Sequence, residues 1–119
     1  MIIIPRNGIS LIIPAFADGT RSYARPLLVI ETNSELNTIS LLNVSSIEGK
    51  KPSKLLIPSN KELQYYNPPF NRASFVKLDE LYIIDYFDDL NKLIFQSGLL
   101  DNNEFIRITN LFNEYKKRL

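Results

Sequence analysis

The sequence predicts an α+β fold that is mainly β, with a single helix at its C-terminal end. Short runs of β-forming residues, separated by turn-forming Asn, Asp, Gly and Pro, occupy most of the chain. Helical periodicity is well marked only in the last part, residues 101–119. With 119 residues, 45% of them apolar and 23% charged, the chain fits one globular domain spanning residues 1–119.

Three strands are predicted in the first part of the chain. Residues 8–14 begin with a turn-forming glycine, continue with apolar β-formers and stop at Pro14. A second strand covers residues 26–31, because Pro26 has no N–H to donate and suits a strand start. After a polar turn at residues 32–37, a third strand is predicted at residues 38–46.

The middle of the chain predicts shorter elements. Residues 54–57 are interpreted as a fourth strand, and residues 61–65 as a helical turn capped by Ser59 or Asn60. Two strands follow at residues 74–78 and 81–84, with the charged pair 79–80 as a hairpin turn between them. Residues 88–95 are expected to form a short helix or a turn.

The last element has the clearest helix signals. Asp101 and Glu104 match a capping box, in which the Asp101 side chain accepts from the Glu104 amide. One apolar stripe recurs at spacings of three and four residues: Phe105, Ile108, Leu111, Phe112, Tyr115 and Leu119. Lys116, Lys117 and Arg118 follow, and we interpret them as cations placed favourably at the negative end of the helix dipole.

The composition excludes several classes of function. The chain has no cysteine, which excludes disulfides, thiolate metal sites and a cysteine nucleophile. It has no histidine, which excludes a Ser-His-Asp triad and a histidine general base. The apolar runs are far shorter than the roughly 20 residues that span a bilayer. Without a recognisable signal sequence, no membrane association and a cytoplasmic location are expected.

Charge is distributed unevenly along the chain. Residues 1–77 hold nine basic and five acidic side chains, a net charge of +4, whereas residues 78–119 hold five basic and eight acidic ones, a net charge of −3. This asymmetry allows an anion-binding face on the first part of the chain. It lacks the strong basic excess of a general nucleic-acid binder.

Arg25 is the main candidate functional residue. It stands at the start of the apolar run 26–30, and the polar loop before it, residues 16–24, contains Arg21. Two guanidinium groups at such a position could bind an anion. The alternative is that Arg25 only flanks a core strand, and the residues by themselves leave both interpretations open.

Other candidate groups favour structural interpretations. The carboxylates near residues 79–89 lie at predicted turns and helix starts, so a metal site is not predicted. Aromatic side chains near basic residues could stack on RNA bases. For Tyr65, Tyr66 and Phe70, however, packing of the small core is the preferred interpretation.

Taken in order, these segments resemble the MazF/PemK toxins of type II toxin-antitoxin systems. The resemblance includes residues 8–12, the polar loop, Arg25-Pro26 before an apolar strand, a third strand ending in Ser45-Ser46, residues 74–85 and the closing helix. Its strongest parts are Arg25-Pro26 and residues 74–85. Within the latter, Tyr82 stands where relatives commonly have arginine, which is a departure from the family pattern.

The resemblance implies a small SH3-like β-barrel of the MazF/CcdB kind that forms a homodimer. It implies a ribosome-independent and metal-independent endoribonuclease, without a cofactor, that cleaves single-stranded RNA through a 2′,3′-cyclic phosphate and is neutralised by a cognate antitoxin protein. The alternative is a non-enzymatic protein of this fold, either a gyrase poison or an RNA- or protein-binding module. The lack of tryptophan and the ending at Leu119 argue against the gyrase poison.

The resemblance also implies functional residues. Arg25 maps onto the catalytic arginine, and Ser45, or Ser46 one step away, onto the serine or threonine at the end of the third strand. The substrate-binding residues expected with them are Arg21, Tyr23, Ser46, Lys50 and Lys51. No residue stands out as the general base.

Overall fold

The structure is a computed structural model that describes residues 5–12, 24–47, 49, 56–63, 70, 73–86, 90 and 94–118. These residues form a mainly antiparallel β-sheet and one C-terminal helix, which confirms the α+β class. The elements are β1 (Asn7–Ile12), β2 (Ala24–Asn33), β3 (Thr38–Ser46), β4 (Asn60–Glu62), β5 (Ser74–Asp85), β6 (Ile94–Leu99) and α1 (Asn102–Lys117). Across the described strands the sheet is open rather than closed into a barrel, in the order β4-β5-β3-β2-β1-β6.

The central strands β2 and β3 are buried on both faces. Successive strand residues point to opposite faces, so a continuous apolar run fills two cores at once. On the helix side, Leu28, Leu42 and Val44 pack with the buried face of α1; we call this the helix-side core. On the other face, Leu27, Val29, Ile39 and Leu41 pack with Ile9 and Leu90; we call this the opposite core.

Strand β5 corrects one prediction. Residues 74–78 and 81–84 belong to a single strand, and residues 79–80 form no hairpin turn. Leu42 pairs with Leu81 but the adjacent Asn43 pairs with Lys77, so residues 78–80 form a three-residue bulge opposite no partner in β3. The long β3 pairs with β5 on both sides of this bulge, and the Leu78 amide donates to the Ser59 carbonyl at 2.7 Å.

The strand predicted at residues 54–57 is also wrong where it can be compared. Leu56 lies in a turn and is 82% exposed, and residues 54–55 fall outside the described ranges. The strand in this part of the chain is β4 (Asn60–Glu62), which overlaps the helical turn predicted at residues 61–65. The outer edge of β5 explains the difference, because it supplies backbone partners from Asn60↔Lys77 to Glu62↔Phe75. Pairing to an available edge outweighs weak local helix signals.

Residues 88–95 were expected to form a short helix or a turn, and strand β6 shows that this is wrong for residues 94 and 95. Ile94 and Phe95 are extended and belong to a strand that pairs antiparallel with β1. The chain then passes through Leu100, whose amide donates to the Arg6 carbonyl at 2.9 Å. Arg6 has a positive φ of 79° and its Nε donates to the Leu100 carbonyl at 2.9 Å, which fixes the junction between β6 and the helix.

The helix begins where the sequence predicts. The Asp101 side chain accepts from the Glu104 amide at 3.1 Å, so the cap is confirmed. Ile108 and Phe112 are buried in the helix-side core, with Phe105, Leu111 and Tyr115 packed around them. Lys116 and Lys117 occupy the last turn, as expected for the dipole.

A polar link joins the helix to the edge of the sheet. The carboxylate of Glu104 is buried and accepts from Arg107 Nε at 2.5 Å. The same guanidinium donates through a terminal nitrogen to the Glu62 carbonyl at 2.8 Å. The Glu104 charge is therefore compensated, as a buried carboxylate requires. In the part of the chain that the structure describes, no helix has the length and apolarity to cross a membrane.

Replacing the helix cap should destabilise the protein measurably. We expect Asp101→Ala to lower the free energy of unfolding by about 1 kcal/mol, because the Glu104 amide loses its acceptor. Urea unfolding followed by circular dichroism measures this. Asn103→Ala is the matched control in the same turn, since Asn103 is exposed and alanine suits a helix. An equal loss in both variants would contradict the capping role.

Candidate functional site

The structure places three of the seven residues expected in the site. Arg25 is the second residue of β2, and its backbone pairs with Leu11 of β1. Ser45 and Ser46 end β3 and pair with Phe75 and Ser74 of β5. Arg21, Tyr23, Lys50 and Lys51 lie outside the described residues.

The register of the sheet brings Arg25 and Ser45 to the same end of neighbouring strands. Leu27 of β2 pairs with Asn43 of β3, and two further steps along the antiparallel strands reach Arg25 and Ser45. The paired part of this ladder ends at Leu27, next to Pro26, which has no N–H to donate. The two candidate catalytic positions, twenty residues apart in the sequence, therefore lie at the same end of adjacent strands, beyond the last residue pair of that ladder.

Strand alternation distinguishes Ser45 from Ser46. Leu41 and Asn43 precede Ser45 at intervals of two residues, and Leu41 belongs to the opposite core. Leu42 and Val44 precede Ser46 in the same way, and both belong to the helix-side core. Ser45 thus lies on the face away from the helix, whereas Ser46 lies on the face that the helix covers.

Three polar side chains that the sequence motifs do not connect, Asn43, Lys77 and Glu80, contact one another near Ser45. Asn43 is only 2% exposed, and its Nδ2 donates to Glu80 Oε2 at 3.4 Å. Lys77 Nζ lies 3.0 Å from the same oxygen. The bulge makes this possible, because it lets Glu80 approach Asn43 and Lys77, which pair with each other in the ladder. One feature of the sequence indicates such a cluster: Asn43 is a polar residue within the apolar run of β3.

This group borders a cavity of about 270 Å³. Its walls are the β4 side, with Ile57, Ser59 and Asn60, and the β5 side, with Phe75, Lys77 and the acidic residues of the bulge. Phe75 is 2% exposed and is the direct ladder partner of Ser45. Paired residues in an antiparallel ladder have Cα atoms about 4.5–5.5 Å apart. Ser45 is therefore one ladder position away from the cavity wall and does not itself line the cavity.

The remaining candidates take structural positions. Phe70 is buried in the helix-side core, which agrees with the packing interpretation for that residue, while Tyr65 and Tyr66 lie outside the described ranges. Tyr82 pairs with Leu41 and packs, half-buried, against the opposite core. Within the described ranges, no three acidic side chains lie close enough together to hold a metal ion.

Comparison with known proteins adds no relative: no protein-family model matches the chain, and no curated protein matches it.

An aspartate at position 43 should destabilise the protein in a pH-dependent way. In Asn43→Asp, burial and the Glu80 carboxylate would raise the pKa of the introduced carboxyl in the folded state. In the unfolded chain this carboxyl has its ordinary pKa of about 3.9. The loss of folding stability is therefore small below about pH 3.9 and grows as the pH rises above it. We expect a loss of about 2 kcal/mol at neutral pH, measured by urea unfolding across this range.

Asn33→Asp is the matched control for that experiment. Asn33 Oδ1 accepts from the Glu35 and Leu36 amides at 3.0 Å in an exposed turn, and a carboxylate can accept the same bonds. We expect no loss that grows with pH in this variant. A pH-independent effect of Asn43→Asp would show that Asn43 lies in a more hydrated place than the structure indicates.

Proposed function

We propose that this protein is a metal-independent endoribonuclease toxin of the MazF/PemK type, which cleaves single-stranded RNA. One observation supports the proposal: Arg25 and Ser45 lie at the same end of the adjacent strands β2 and β3, and Phe75, the ladder partner of Ser45, lines a polar cavity. The resemblance of the sequence to that family supplies the reaction. We also propose that the six described strands belong to an SH3-like barrel of the MazF/CcdB kind, although they form an open sheet among themselves.

The proposed reaction uses a nucleophile that the RNA itself supplies. The 2′-oxygen attacks the adjacent phosphorus while its proton passes to a base, and the bond from phosphorus to the 5′-oxygen breaks. The products are a 2′,3′-cyclic phosphate and a 5′-hydroxyl, whose proton comes from a general acid. No protein nucleophile is needed, which suits a chain without cysteine or histidine.

Arg25 is assigned to the phosphate. A guanidinium donates two parallel hydrogen bonds to phosphate oxygens and remains charged at all relevant pH values. It would stabilise the negative charge that builds up in the transition state, and the general acid remains unassigned. The assignment requires the Arg25 side chain to reach the face of the sheet on which Ser45 lies, where the Ser45 hydroxyl would orient the same phosphate.

The partners follow from the same proposal. The net charge of +4 over residues 1–77 would attract RNA. It would also attract an acidic segment of an antitoxin, which is proposed to cover the RNA-binding residues. Arg21, Tyr23, Lys50 and Lys51 are proposed as further substrate contacts. The enzyme is proposed to act as a homodimer in the cytoplasm.

Removing the guanidinium should abolish cleavage without unfolding the protein. We expect Arg25→Ala to reduce the rate of cleavage of a fluorescent single-stranded RNA by about 10²–10³-fold, because a transition-state donor is lost. Arg118→Ala, an exposed arginine at the end of the helix, is the matched control and should cleave normally. Circular dichroism checks that both variants fold.

The chemistry of the products tests the mechanism. EDTA should not inhibit cleavage, and the fragments should carry 5′-hydroxyl and 2′,3′-cyclic phosphate ends. Equal cleavage by Arg25→Ala would remove Arg25 from the site. RNA binding without cleavage by the unaltered protein would favour the non-enzymatic alternative.

Ser45 and Ser46 should differ in their effects. Because Ser45 lies on the face of the cavity and Ser46 on the face of the helix, we expect Ser45→Ala to slow cleavage about tenfold more than Ser46→Ala. Single-turnover cleavage rates of the two variants measure this difference. A larger effect of Ser46→Ala would mean that the substrate approaches the other face of β3.

A further inference from the structure

The cavity beside Ser45 contains paired charges that the proposed reaction does not use. Lys77 and Glu80 form an ion pair at 3.0 Å, and their side chains are 29% and 32% exposed, so both can be reached from solvent. Both described contacts of the Glu80 carboxylate go to Oε2. An ammonium group and a carboxylate thus stand side by side at the wall of the cavity.

We propose that this cavity binds a guanine base of the RNA, next to the phosphate that is cleaved. The inference rests on the proposed nuclease function and adds the recognition of a base to it. A volume of about 270 Å³ lies just below the roughly 300–1,000 Å³ of drug-sized ligand pockets, which suits one base rather than a longer segment. Ile57, which is 45% exposed, provides apolar surface against which a base can pack.

The order of donors and acceptors selects guanine. The Watson–Crick edge of guanine presents an acceptor, O6, followed by two neighbouring donors, N1–H and an N–H of the 2-amino group. Lys77 can donate to O6, and the two donors match the two oxygens of the Glu80 carboxylate. Adenine and uracil each have one donor group on this edge, so they cannot form the double hydrogen bond to the carboxylate.

Asn43 is a positioning residue in this arrangement. It is buried in β3, two residues before Ser45, and its amide donates to the Glu80 carboxylate. The contact ties the bulge of β5 to the rigid centre of the sheet. A carboxylate held in one orientation loses less conformational entropy when it binds a base. The contact therefore links base recognition to the strand that presents Ser45.

The closing experiment compares cleavage sites in a random pool of single-stranded RNA. Sequencing the new ends should show guanine enriched at one position next to the cleaved bond. We expect Glu80→Gln to lower the preference for guanine over adenine about tenfold to a hundredfold, since the amide offers a donor where guanine needs an acceptor. Asp85→Asn, an exposed carboxylate in the same strand, is the control and should keep the preference.

A binding measurement separates this inference from the nuclease proposal. Guanosine 5′-monophosphate, titrated into isotope-labelled protein, should shift the amide signals of Asn43, Phe75 and Lys77 more than adenosine 5′-monophosphate does. The shifts should persist in Arg25→Ala and disappear in Glu80→Gln. Arg25-dependent cleavage with a base preference that Glu80→Gln leaves unchanged would overturn the guanine pocket and leave the nuclease intact. Guanosine-specific shifts without any cleavage would support the pocket and overturn the nuclease.

Discussion

Burial of the β2–β3 pair on both faces is the constraint on which the rest of the structure depends. Leu28 and Leu42 face the helix, and Leu27 and Leu41 face away from it, so each strand contributes to two cores. A shift of one residue in register would exchange the two sets of side chains, and both cores would lose their packing. The register that fixes the cores also fixes which strand ends lie together, and it brings the start of β2, with Arg25, to the same end of the sheet as the end of β3, with Ser45.

The sequence predicts those elements whose local signals agree with their surroundings. The helix has a cap and one apolar stripe, and β3 lies at the predicted residues 38–46. The prediction fails where a distant partner decides the conformation. Residues 60–62 are extended because β5 offers them an edge, and β5 continues through residues 79–80 because β3 pairs with both of its halves. No local pattern carries that information.

The candidate functional site is also predictable only where local sequence signals are sufficient. Arg25 and Ser45 are expected from motifs at strand ends, but the contact of Glu80 with Asn43 and Lys77 depends on the bulge, which forms because β3 pairs with both halves of β5. A buried asparagine in an apolar strand indicates a polar partner without naming it. In this fold the partner is a carboxylate that the sequence suggests to be part of a turn.

The bulge of β5 places polar side chains at the cavity wall without interrupting the framework of paired strands. Paired strand lies on both sides of residues 78–80, and the Leu78 side chain and amide anchor the segment to the helix-side core and to Ser59. A substitution at Asp79, which is exposed, therefore changes the chemistry of the cavity wall and leaves both cores intact. A substitution at Glu80 also removes an acceptor from the buried Asn43 amide, so the same wall carries one position that is free to change and one that is tied to folding stability.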